Sequence, residues 1–473
     1  MLTKNQEYEM CIEDMGNDGE GIGHLDGMAV FVKDTVVGDR ILVKVIKVKK
    51  QYAFGRLMRI LEPSAFRVEP ICPLARSCGG CTLMQMEYGR QLAWKQDKVL
   101  NCMKRIGGIA QAETLMEPII GMEVPEEAEF PAIYYRNKAQ FPVQRGKDGG
   151  IKIGFFAGRT HDVMDTDRCY LQAPVTETIV KRIRRFLEEY QVEPYDEGTH
   201  SGLVRHILTR TGWHTGEVMV CLVINGRKLT GRHQGAACNV EQQLVDCLWD
   251  IPGMTSIVLN FNVEKTNRIL GNDCRTLWGQ DYISDRIGEI RYQISPLSFY
   301  QVNPQQTEKL YAKALEYADL HGEETVWDLY CGIGTISLFL ASKAKKVYGV
   351  EIVEAAVEDA RKNAVANRIE NVDFFAGKAE EVFPAQYQKT GERADVIVVD
   401  PPRKGCDAVL LDTMVQMAPE RIVYVSCDPA TLARDVKVLV EAGYVVERIC
   451  PVEQFAHNVH VETVCLMSRV EGK

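Results

Sequence analysis

The sequence has no long run of apolar residues and no net positive charge. No window approaches the ~18 consecutive apolar residues that a membrane-spanning helix needs. The first ten residues, MLTKNQEYEM, are polar and acidic, unlike a signal peptide. The net charge of -9 argues against a protein that coats nucleic acids non-specifically. We therefore expect a cytoplasmic protein with no membrane partner.

The sequence also lacks the marks of disordered and fibrous chains. Its 46% of hydrophobic and 26% of charged residues are ordinary for a globular protein, and no internal repeat stands out. With 473 residues, the chain is too long for one ordinary core and is expected to form about two to four domains. Its 15 cysteines are not expected to form disulfides in a reducing compartment, which favours metal binding or catalysis.

Residues 1–62 have the pattern of a small β-barrel. Strand-like segments such as Met28–Val32 and Asp39–Val48 are separated by glycines, and sheets this short need closure to remove their edges. The stretch Arg40–Ile60 contains no acidic residue. Its basic residues are Arg40, Lys44, Lys47, Lys49, Lys50, Arg56 and Arg59. This stretch is either a solvated strand face or a surface for a nucleic-acid backbone.

The rest of the chain predicts two further domains. Residues 63–294 contain a cysteine cluster, a helical stretch at Tyr88–Ile106 and a mixed α/β region. In residues 295–473, strand-like segments alternate with helical patterns, which predicts parallel βαβ units and a doubly wound sheet. The strand-like segments are Thr325–Leu329, Lys346–Val350, Ala394–Val399 and Arg421–Ser426.

A glycine turn follows the first strand of this predicted sheet. The segment VWDLYCGIGT, residues 326–335, runs through Gly-x-Gly into a helical pattern, where glycines let the backbone approach a ligand. Residue 337 is Ser, so the third glycine of a dinucleotide fingerprint is absent. Glu351 ends the next strand, where its carboxylate can accept hydrogen bonds from ribose hydroxyls. These features predict a nucleoside-containing cofactor, with a nicotinamide enzyme or an empty Rossmann-like domain as alternatives.

Two more motifs follow neighbouring strands of the same predicted sheet. Asp400 begins the segment Asp-Pro-Pro-Arg-Lys-Gly, whose prolines hold the loop extended. Cys427 follows the strand Arg421–Ser426, where a thiol is placed to be exposed and activated. A cysteine at a strand end is more often a small packed residue. The combination of three motifs at the tips of one sheet nevertheless favours a catalytic cleft.

Three further cysteines form a close group in the sequence. Cys72, Cys78 and Cys81 are spaced to chelate one metal centre, and two glycines at positions 79 and 80 allow the tight turn that this requires. Zinc and an iron–sulfur cluster both suit such thiols, and spacing alone does not choose between them. Free thiols without metal are the third alternative, and no fourth ligand lies nearby in the sequence.

Together these motifs resemble the RNA (uracil-5-)-methyltransferase family, most of all its bacterial 23S ribosomal RNA members of the RumA type. The resemblance extends over essentially the whole chain. It rests on Ser298–Asn303, Asp328–Gly334, Asp400–Gly405, Ser426-Cys427 with Pro429–Thr431, His460–Glu462, Tyr135–Lys138 and Gly202–His206. It implies an OB-like TRAM barrel at the N-terminus, a central α/β domain with a cysteine metal cluster, and a Rossmann-like methyltransferase sheet at the C-terminus.

The resemblance further implies an S-adenosylmethionine-dependent enzyme that methylates C5 of a uridine in 23S ribosomal RNA. C5 of uracil is a poor nucleophile, so Cys427 would add to C6, and Glu462 would later remove the C5 proton. The residues that would bind the methyl donor are Gln301, Tyr330, Glu351 and Asp400. The residues that would hold a [4Fe–4S] cluster, with zinc as the rival metal, are Cys72, Cys78, Cys81 and Cys169. We expect a monomer.

Several alternatives stay open on the sequence. Transfer RNA is a second possible substrate, and a non-catalytic RNA-binding ribosome-assembly factor with a metal cluster is a different class of function. Methylation of a base nitrogen is disfavoured because Arg403 stands where such enzymes carry an aromatic residue. Methylation of cytosine C5 is disfavoured because residue 426 is Ser rather than Pro. Asp428 stands where many relatives have Asn.

Overall fold

Three large sheets follow one another along the chain. The computed structural model describes residues 2–158 and 160–470. The predicted domains 1–62, 63–294 and 295–473 each contain one of these large sheets, and residues 63–294 also contain two two-stranded sheets. The domain boundaries stay predictions, and Met1, residue 159 and residues 471–473 lie outside the described residues. None of the helices described is long and apolar enough to cross a membrane.

The first sheet has six strands. They are β1 (Glu7–Cys11), β2 (Asp14–Met15), β3 (Gly21–Leu25), β4 (Met28–Val32), β5 (Arg40–Val48) and β6 (Tyr52–Glu62). Their spatial order is β1-β5-β6-β4-β3-β2, with β4 and β6 parallel. A Cβ at Gly23 would lie 2.2 Å from the carbonyl oxygen of Cys11, so β3 crosses the end of β1 at a distance that needs glycine. This crossing curls the sheet around an apolar core, as predicted for a small barrel.

The second sheet is mixed and has two helices against one face. The elements from residue 88 to residue 279 are α1 (Tyr88–Arg105), α2 (Ala112–Leu115), β7 (Lys138–Arg145), β8 (Ile151–Phe156), β9 (Val163–Asp165), α3 (Val175–Glu189), β10 (Val204–Thr211), β11 (Val218–Ile224), β12 (Thr230–His233), β13 (Ala236–Asn239), α4 (Glu241–Leu248), β14 (Met254–Phe261) and β15 (Asp273–Gly279). The sheet order is β15-β14-β11-β10-β7-β8-β9, and β12 pairs with β13 separately. Helices α3 and α4 bury Ile183, Leu187 and Leu244 against it.

The third sheet is doubly wound, as predicted. After the hairpin β16 (Ile283–Ile287) and β17 (Ile290–Ile294), its elements are α5 (Pro304–Ala318), β18 (Thr325–Leu329), α6 (Thr335–Ala341), β19 (Lys346–Glu351), α7 (Glu354–Ala366), β20 (Val372–Ala376), α8 (Ala379–Thr390), β21 (Val396–Val399), α9 (Ala408–Met417), β22 (Arg421–Ser426), α10 (Pro429–Glu441), β23 (Tyr444–Val452) and β24 (Glu462–Arg469). The order is β20-β19-β18-β21-β22-β24-β23. The chain winds outward from β18 in both directions, and ligands bind where the order reverses.

One segment of the predicted central domain packs against the third sheet instead. Val99 and Met103 of α1 share a core with Leu432 and Val436 of α10. Beyond α2, the chain forms parallel bridges to β23, one of them between Met116 and Ile449. Residues 88–120 therefore pack with the third sheet and its helices. No local pattern in the sequence indicates this placement.

Candidate active site

A cleft of about 780 Å³ opens at the carboxyl ends of β18, β19, β21 and β22. It lies where the strand order reverses, the position at which doubly wound sheets bind ligands. All six residues that the sequence predicts for catalysis and donor binding line this cleft, namely Gln301, Tyr330, Glu351, Asp400, Cys427 and Glu462. The structure thus brings the six side chains together, while their individual roles stay predictions.

The glycine turn after β18 forms the floor of the cleft. Tyr330, Gly332 and Gly334 all adopt positive φ, at 74°, 55° and 81°. A Cβ at Gly334 would lie 2.8 Å from the ring of Phe374, so this position requires glycine for space as well as for conformation. The turn is tied to β19, because the backbone N–H groups of Tyr330 and Cys331 both donate to the carbonyl of Val350 at 3.0 Å.

Glu351, at the end of β19, is held in place by backbone donors. The N–H of Gly332 donates to Oε2 at 3.2 Å, and the N–H of Val353 donates to Oε1 at 2.9 Å. Each oxygen keeps a further lone pair, and the side chain lines the cleft. The carboxylate is therefore positioned to accept hydrogen bonds from a ligand's hydroxyl groups.

Two carboxyl groups lie in the wall of the cleft, that of the buried Asp328 and that of the half-buried Asp400. Asp328 accepts a hydrogen bond from Ser337 Oγ at 2.5 Å, and its Oδ1 has no partner in the described part of the chain. Burial raises the pKa of Asp328 to about 7. Burial, followed by the nearby Asp328 carboxyl, likewise raises the pKa of Asp400 to about 7. The sequence motifs contain Asp328, but it was not assigned to the site.

Cys427 and Glu462 meet because of strand register. Ser426, the last residue of β22, pairs with Thr463 of antiparallel β24. Continuing this register places Cys427 opposite Glu462. Burial, then the Glu462 and Asp400 carboxyls, raise the pKa of the Cys427 thiol to about 12, against the opposing effect of Arg403. Burial and the Asp400 carboxyl also raise the pKa of Glu462.

Arg403 is the cation next to these groups, and sequence reasoning did not assign it a role. Its guanidinium opposes the pKa increases of both Cys427 and Glu462. Its Nη2 lies 3.2 Å from Nε2 of His460, whose pKa burial and Arg403 lower to about 4. His460 is thus neutral near pH 7 and lends no positive charge to the cleft. Its place in the Asp-Pro-Pro-Arg motif is the sequence feature that points to Arg403 as a residue of the cleft.

The loop that follows Asp400 is fastened to α10. Asp435 accepts hydrogen bonds from the Cys406 N–H at 2.8 Å and from the Tyr424 hydroxyl at 2.6 Å. The hydroxyl of Thr431 donates to the Arg403 carbonyl at 3.1 Å. These bonds fix the Arg403 backbone beside the cleft before any ligand binds, which lowers the entropy cost of binding.

Asp428, where many relatives have Asn, caps helix α10. Its Oδ1 accepts from the N–H groups of Ala430 at 2.9 Å and of Thr431 at 3.1 Å. Asp and Asn are equally good at this N-cap position, which explains why either residue is acceptable next to the cysteine.

Two aromatic side chains that the sequence did not single out also line the cleft. Phe299 is 68% exposed, and Phe455 lies on the loop between β23 and β24. The Phe455 carbonyl accepts from Lys95 Nζ at 2.9 Å, and Lys95 forms a fully buried ion pair with Glu453 at 2.7 Å.

The backbone of Gln301 is held by the central domain, since Asn137 Nδ2 donates to the Gln301 carbonyl at 2.9 Å.

The four cysteines predicted to bind metal lie in one region of the protein. Cys72, Cys81 and Cys169 pack around one apolar cluster. Burial, followed by the other three thiols, raises the pKa of Cys81. Yet residues 2–158 and 160–470 contain no group of three or more His, Cys, Asp or Glu side chains arranged to hold a metal ion. The predicted metal cluster is therefore not confirmed, because loops place the thiols near one another without forming a coordination site.

Arg205, Arg184 and His457, which lie outside the cleft, have structural partners. Arg205 is buried and donates to the Asn262 carbonyl at 3.0 Å, and Arg184 pairs with Asp165 at 2.8 Å. His457 is buried and contacts the Pro131 carbonyl at 2.9 Å. These contacts favour a structural role for the three side chains.

Comparison with known proteins gives one consistent family. A model described as tRNA (Uracil-5-)-methyltransferase matches residues 131–470, and a TRAM domain model matches residues 2–58. An RNA methyltransferase of Clostridium tetani is 47% identical over 467 residues, which cover 99% of this chain and 97% of that protein. An RNA methyltransferase of Bacillus cereus is 45% identical over 470 residues, covering 99% and 98%.

A solved structure resembles the whole molecule. The Pyrococcus abyssi tRNA (uracil-54, C5)-methyltransferase, in complex with S-adenosyl-L-homocysteine, is 27% identical and has a TM-score of 0.74. The match covers 97% of this chain and 100% of that one. With a TRAM domain followed by an α/β methyltransferase fold, the chain belongs to the tRNA (uracil-5-)-methyltransferase family of RNA methyltransferases.

Proposed function

We propose that this protein transfers a methyl group from S-adenosylmethionine to C5 of a specific uridine in 23S ribosomal RNA. The observation that carries the proposal is the meeting of Cys427, Glu462 and Asp400 in one cleft with the glycine turn. A thiol beside two carboxyls is what C5 chemistry needs, because it supplies a nucleophile for C6 and a base for the C5 proton.

The proposed reaction has three steps at the uracil ring. Sγ of Cys427 releases its proton to solvent and bonds to C6, and the C5=C6 electrons move towards O4 to give an enolate. The enolate electrons then form the bond from C5 to the methyl group, the S–CH3 bond of the donor breaks, and the donor would leave as the neutral thioether S-adenosylhomocysteine. Glu462 takes the proton from C5, the C5=C6 bond re-forms, and Sγ leaves C6 as a thiolate. The target base has to leave its stack to reach Cys427.

The charges in the cleft influence whether Cys427 and Glu462 carry a proton before the reaction. The raised pKa of Cys427, about 12, keeps it a thiol while the neighbouring carboxyls are charged. A proton on Asp400 or Glu462 removes part of that repulsion, and Arg403 favours the thiolate. Because the pKa of Glu462 is raised, its carboxylate is a stronger base than an ordinary glutamate once ionised.

The methyl donor fits the other half of the cleft. S-adenosylmethionine supplies an electrophilic methyl group when bound. The side chains that would hold it are Gln301, Tyr330, Glu351 and Asp400. The unpartnered Oδ1 of Asp328 and the space over the positive-φ glycines support a ligand here, since a buried acceptor without a partner is costly.

The cysteine group would hold a [4Fe–4S] cluster through Cys72, Cys78, Cys81 and Cys169. An all-thiol donor set suits iron–sulfur chemistry and also zinc. Burial raises the pKa of Cys169 to about 11, with added repulsion from Cys78 and Cys72. A bound metal would relieve this repulsion. Anaerobic purification should yield iron and sulfide in equal amounts, and zinc without iron would contradict the cluster.

Transfer RNA is the second candidate substrate. It is favoured by the description of the matching family and by the Pyrococcus abyssi enzyme, which acts on tRNA. Ribosomal RNA is favoured by the resemblance of the motifs to the RumA type. Both candidates use the same cleft and the same chemistry, so the choice depends on which RNA the rest of the molecule accepts.

The test is product analysis with radiolabelled methyl donor. We would incubate the protein with 23S ribosomal RNA fragments and, separately, with transfer RNA transcripts, then digest each RNA to nucleosides. We expect label in 5-methyluridine from a ribosomal fragment. 5-Methyluridine from transfer RNA alone would establish the second candidate. Label on a base nitrogen, or in no nucleoside, would overturn the proposal.

A further inference from the structure

The loop that leads into Glu462 lies along one face of helix α1. This loop, residues 453–461, joins β23 to β24 and is called the Glu462 loop below, since Glu462 is the first residue of β24. Gln91, Lys95 and Lys98 occupy positions i, i+4 and i+7 of α1, a spacing that places them on the same side of the helix. The chemistry proposed above uses none of these three side chains.

The three side chains bond the backbone of the Glu462 loop at every second residue. The pairs are Lys95 Nζ with the Phe455 carbonyl at 2.9 Å, Gln91 Oε1 with the His457 N–H at 3.1 Å, and Lys98 Nζ with the Val459 carbonyl at 3.0 Å. His457 adopts a φ of 65°, which is uncommon for a residue other than glycine. The loop therefore keeps its path through these contacts and not through its own backbone preference.

Lys98 also joins the Glu462 loop to the N-terminal barrel. Its Nζ donates a second hydrogen bond, to the Asn17 carbonyl at 3.0 Å, and lies 5.2 Å from the centre of the Trp94 ring. Asn17 belongs to the barrel loop, residues 16–20, which connects β2 to β3. An ammonium group has three donors, and two of those of Lys98 are taken by carbonyls from opposite ends of the chain. Removing the ammonium group breaks both bonds at once.

The barrel loop touches the Glu462 loop directly as well. Gly19 is buried at a φ of 81°, and a Cβ there would lie 2.9 Å from Cγ1 of Val459. Val459 also packs in an apolar cluster with Met15 of the barrel. Val459 is therefore held from two sides, by Lys98 and by the barrel, three residues before Glu462.

The contact at Lys98 lies late in the loop, after a part that is held independently. The N–H groups of Thr82 and Leu83 donate to the His457 carbonyl at 2.9 Å and 3.0 Å. These bonds do not involve the ammonium group. Loss of that group should therefore shift Glu462 without unfolding the loop.

We propose that Lys98 is a positioning residue for Glu462. It fastens the last part of the Glu462 loop to the barrel loop and so fixes the carboxylate that takes the C5 proton. The inference rests on the proposed function in taking Glu462 as the base. It gives the barrel a part in the chemical step through a contact within the protein.

The experiment follows the covalent adduct on ordinary uridine. The protein would be mixed with S-adenosylmethionine and the RNA in which product analysis finds 5-methyluridine, and denaturing gels would measure the adduct over time. Lys98→Met keeps an apolar side chain and removes the ammonium group. We expect kcat to fall about 10- to 100-fold while the Kd for the RNA stays within about twofold. The adduct should accumulate, because the methyl group is transferred before Glu462 acts.

Two further changes on α1 separate a positioning role from a structural one. Lys98→Arg keeps a charged donor and should restore most of the turnover. Lys104→Met removes an ammonium group from the same helix, where Lys104 pairs with the exposed Glu113, and should behave like the wild type. Unfolding midpoints of all variants would be measured in parallel. If Lys98→Met lowers adduct formation and turnover together, or changes neither, the proposal is wrong.

A matched pair of glycines tests the contact from the barrel side. Gly19→Ala places a methyl group against Val459, so it should also make the adduct accumulate. Gly27 has a φ of 76°, and in the described part of the chain nothing lies within 4 Å of a Cβ added there. Gly27→Ala thus imposes a comparable backbone strain without the clash, and we expect it to resolve the adduct at the wild-type rate. Equal behaviour of the two alanine variants would contradict a link between the barrel loop and the Glu462 loop.

Hydrogen exchange of the free protein distinguishes this proposal from the catalytic one. Peptides that cover residues 453–461 should exchange faster in Lys98→Met than in the wild type, and peptides that cover β22 should not. If exchange rises in this way but the wild type makes no 5-methyluridine on any RNA, the catalytic proposal falls and Lys98 still holds the loop. If the wild type makes 5-methyluridine and exchange in the loop is unchanged in Lys98→Met, the positioning proposal falls and the catalytic one stands.

Discussion

The active-site cleft and the cysteine group were predicted from the same kind of signal, short motifs separated in sequence, but the structure organises them differently. Five of the six cleft residues lie at strand ends of one sheet or directly beside them, the sixth, Gln301, precedes α5, and all of them line one cavity. The four cysteines sit on loops and come near one another without forming a coordination site within residues 2–158 and 160–470.

The difference shows that a sequence motif has a predictable position in space when it follows a strand, and not when it lies on a loop. Parallel strand ends meet at one edge of a sheet whatever their side chains are, so a motif that follows a strand has its place set by backbone hydrogen bonds. No sheet fixes the position of a thiol on a loop, and metal binding normally completes the geometry of such a site. The comparison predicts that changes in the cleft alter chemistry, and that changes in the cysteine group alter binding and stability.

The largest effect is expected for Cys427→Ala. Methyl transfer should fall below about one thousandth of the wild-type rate, because no other group in the mechanism adds to C6. Single-turnover methylation with saturating RNA would measure it. Cys102→Ala, at a half-buried cysteine on α1, is the control and should keep wild-type activity. Substantial activity in Cys427→Ala would contradict the mechanism.

Glu462→Gln should stop the reaction at a later stage. Gln cannot accept the C5 proton, so turnover should drop by about 10² to 10⁴-fold while the adduct still forms. Denaturing gels should then show a covalent protein–RNA complex with ordinary uridine, which the wild type resolves. A variant that turns over slowly without accumulating adduct would argue against Glu462 as the base.

The Lys95–Glu453 ion pair should be important for stability. Lys95→Met leaves Glu453 buried without its partner, which should cost about 3–5 kcal/mol of unfolding free energy. The Phe455 carbonyl would lose its donor as well. Lys181→Met breaks an exposed pair with Glu177 and should change stability by less than about 0.5 kcal/mol. Denaturant unfolding measures both, and equal losses would contradict this account.

Asp328 should make the stability of the cleft depend on pH. Its pKa is raised to about 7, above the value of about 3.9 expected in the unfolded chain. The folded state then holds the proton more tightly, so this stabilisation is full below about pH 4 and is lost as the pH rises through about 7. Asp328→Asn should lose less unfolding free energy than the wild type between about pH 4 and 7. Identical pH slopes would rule out the proposed burial effect.

The smallest effect on chemistry is expected for Cys78→Ser. It should lower the metal content and weaken RNA binding by a few fold, while methyl transfer from saturating RNA stays near the wild-type rate. The split between KM and kcat is the measurement. A large fall in kcat with unchanged KM would mean that the cysteine group acts on the cleft directly. It would contradict the distinction between a cleft for chemistry and a cysteine group for binding and stability.

The helices and strands were predictable because the sequence patterns that mark them are local. The strands Thr325–Leu329 and Arg421–Ser426 have the predicted ends, since buried parallel strands appear as short apolar runs bounded by polar residues. Helix α1 begins at the predicted Tyr88 and ends one residue early. The meeting of Cys427 with Glu462 followed from the resemblance, and the register of β22 and β24 now explains it.

The parts that escaped prediction depend on contacts distant in sequence. Lys95 reaches Glu453 across 358 positions, and no local pattern marks either residue as buried. The docking of α1 on α10 has the same origin, because the residues in contact come from distant parts of the sequence. The motifs therefore pointed to residues that line one cleft, and the fold shows how the walls of that cleft are built.

The most direct test of the central claim is covalent trapping followed by peptide mapping. Ribosomal and transfer RNA fragments transcribed with 5-fluorouridine would be incubated with the wild-type protein and S-adenosylmethionine, since fluorine at C5 cannot leave as a proton. We predict a denaturation-resistant complex on a ribosomal fragment, with the nucleotide attached to the peptide that contains Cys427. Attachment at Cys331, which also lines the cleft, or no adduct on any RNA that the protein binds, would contradict the account.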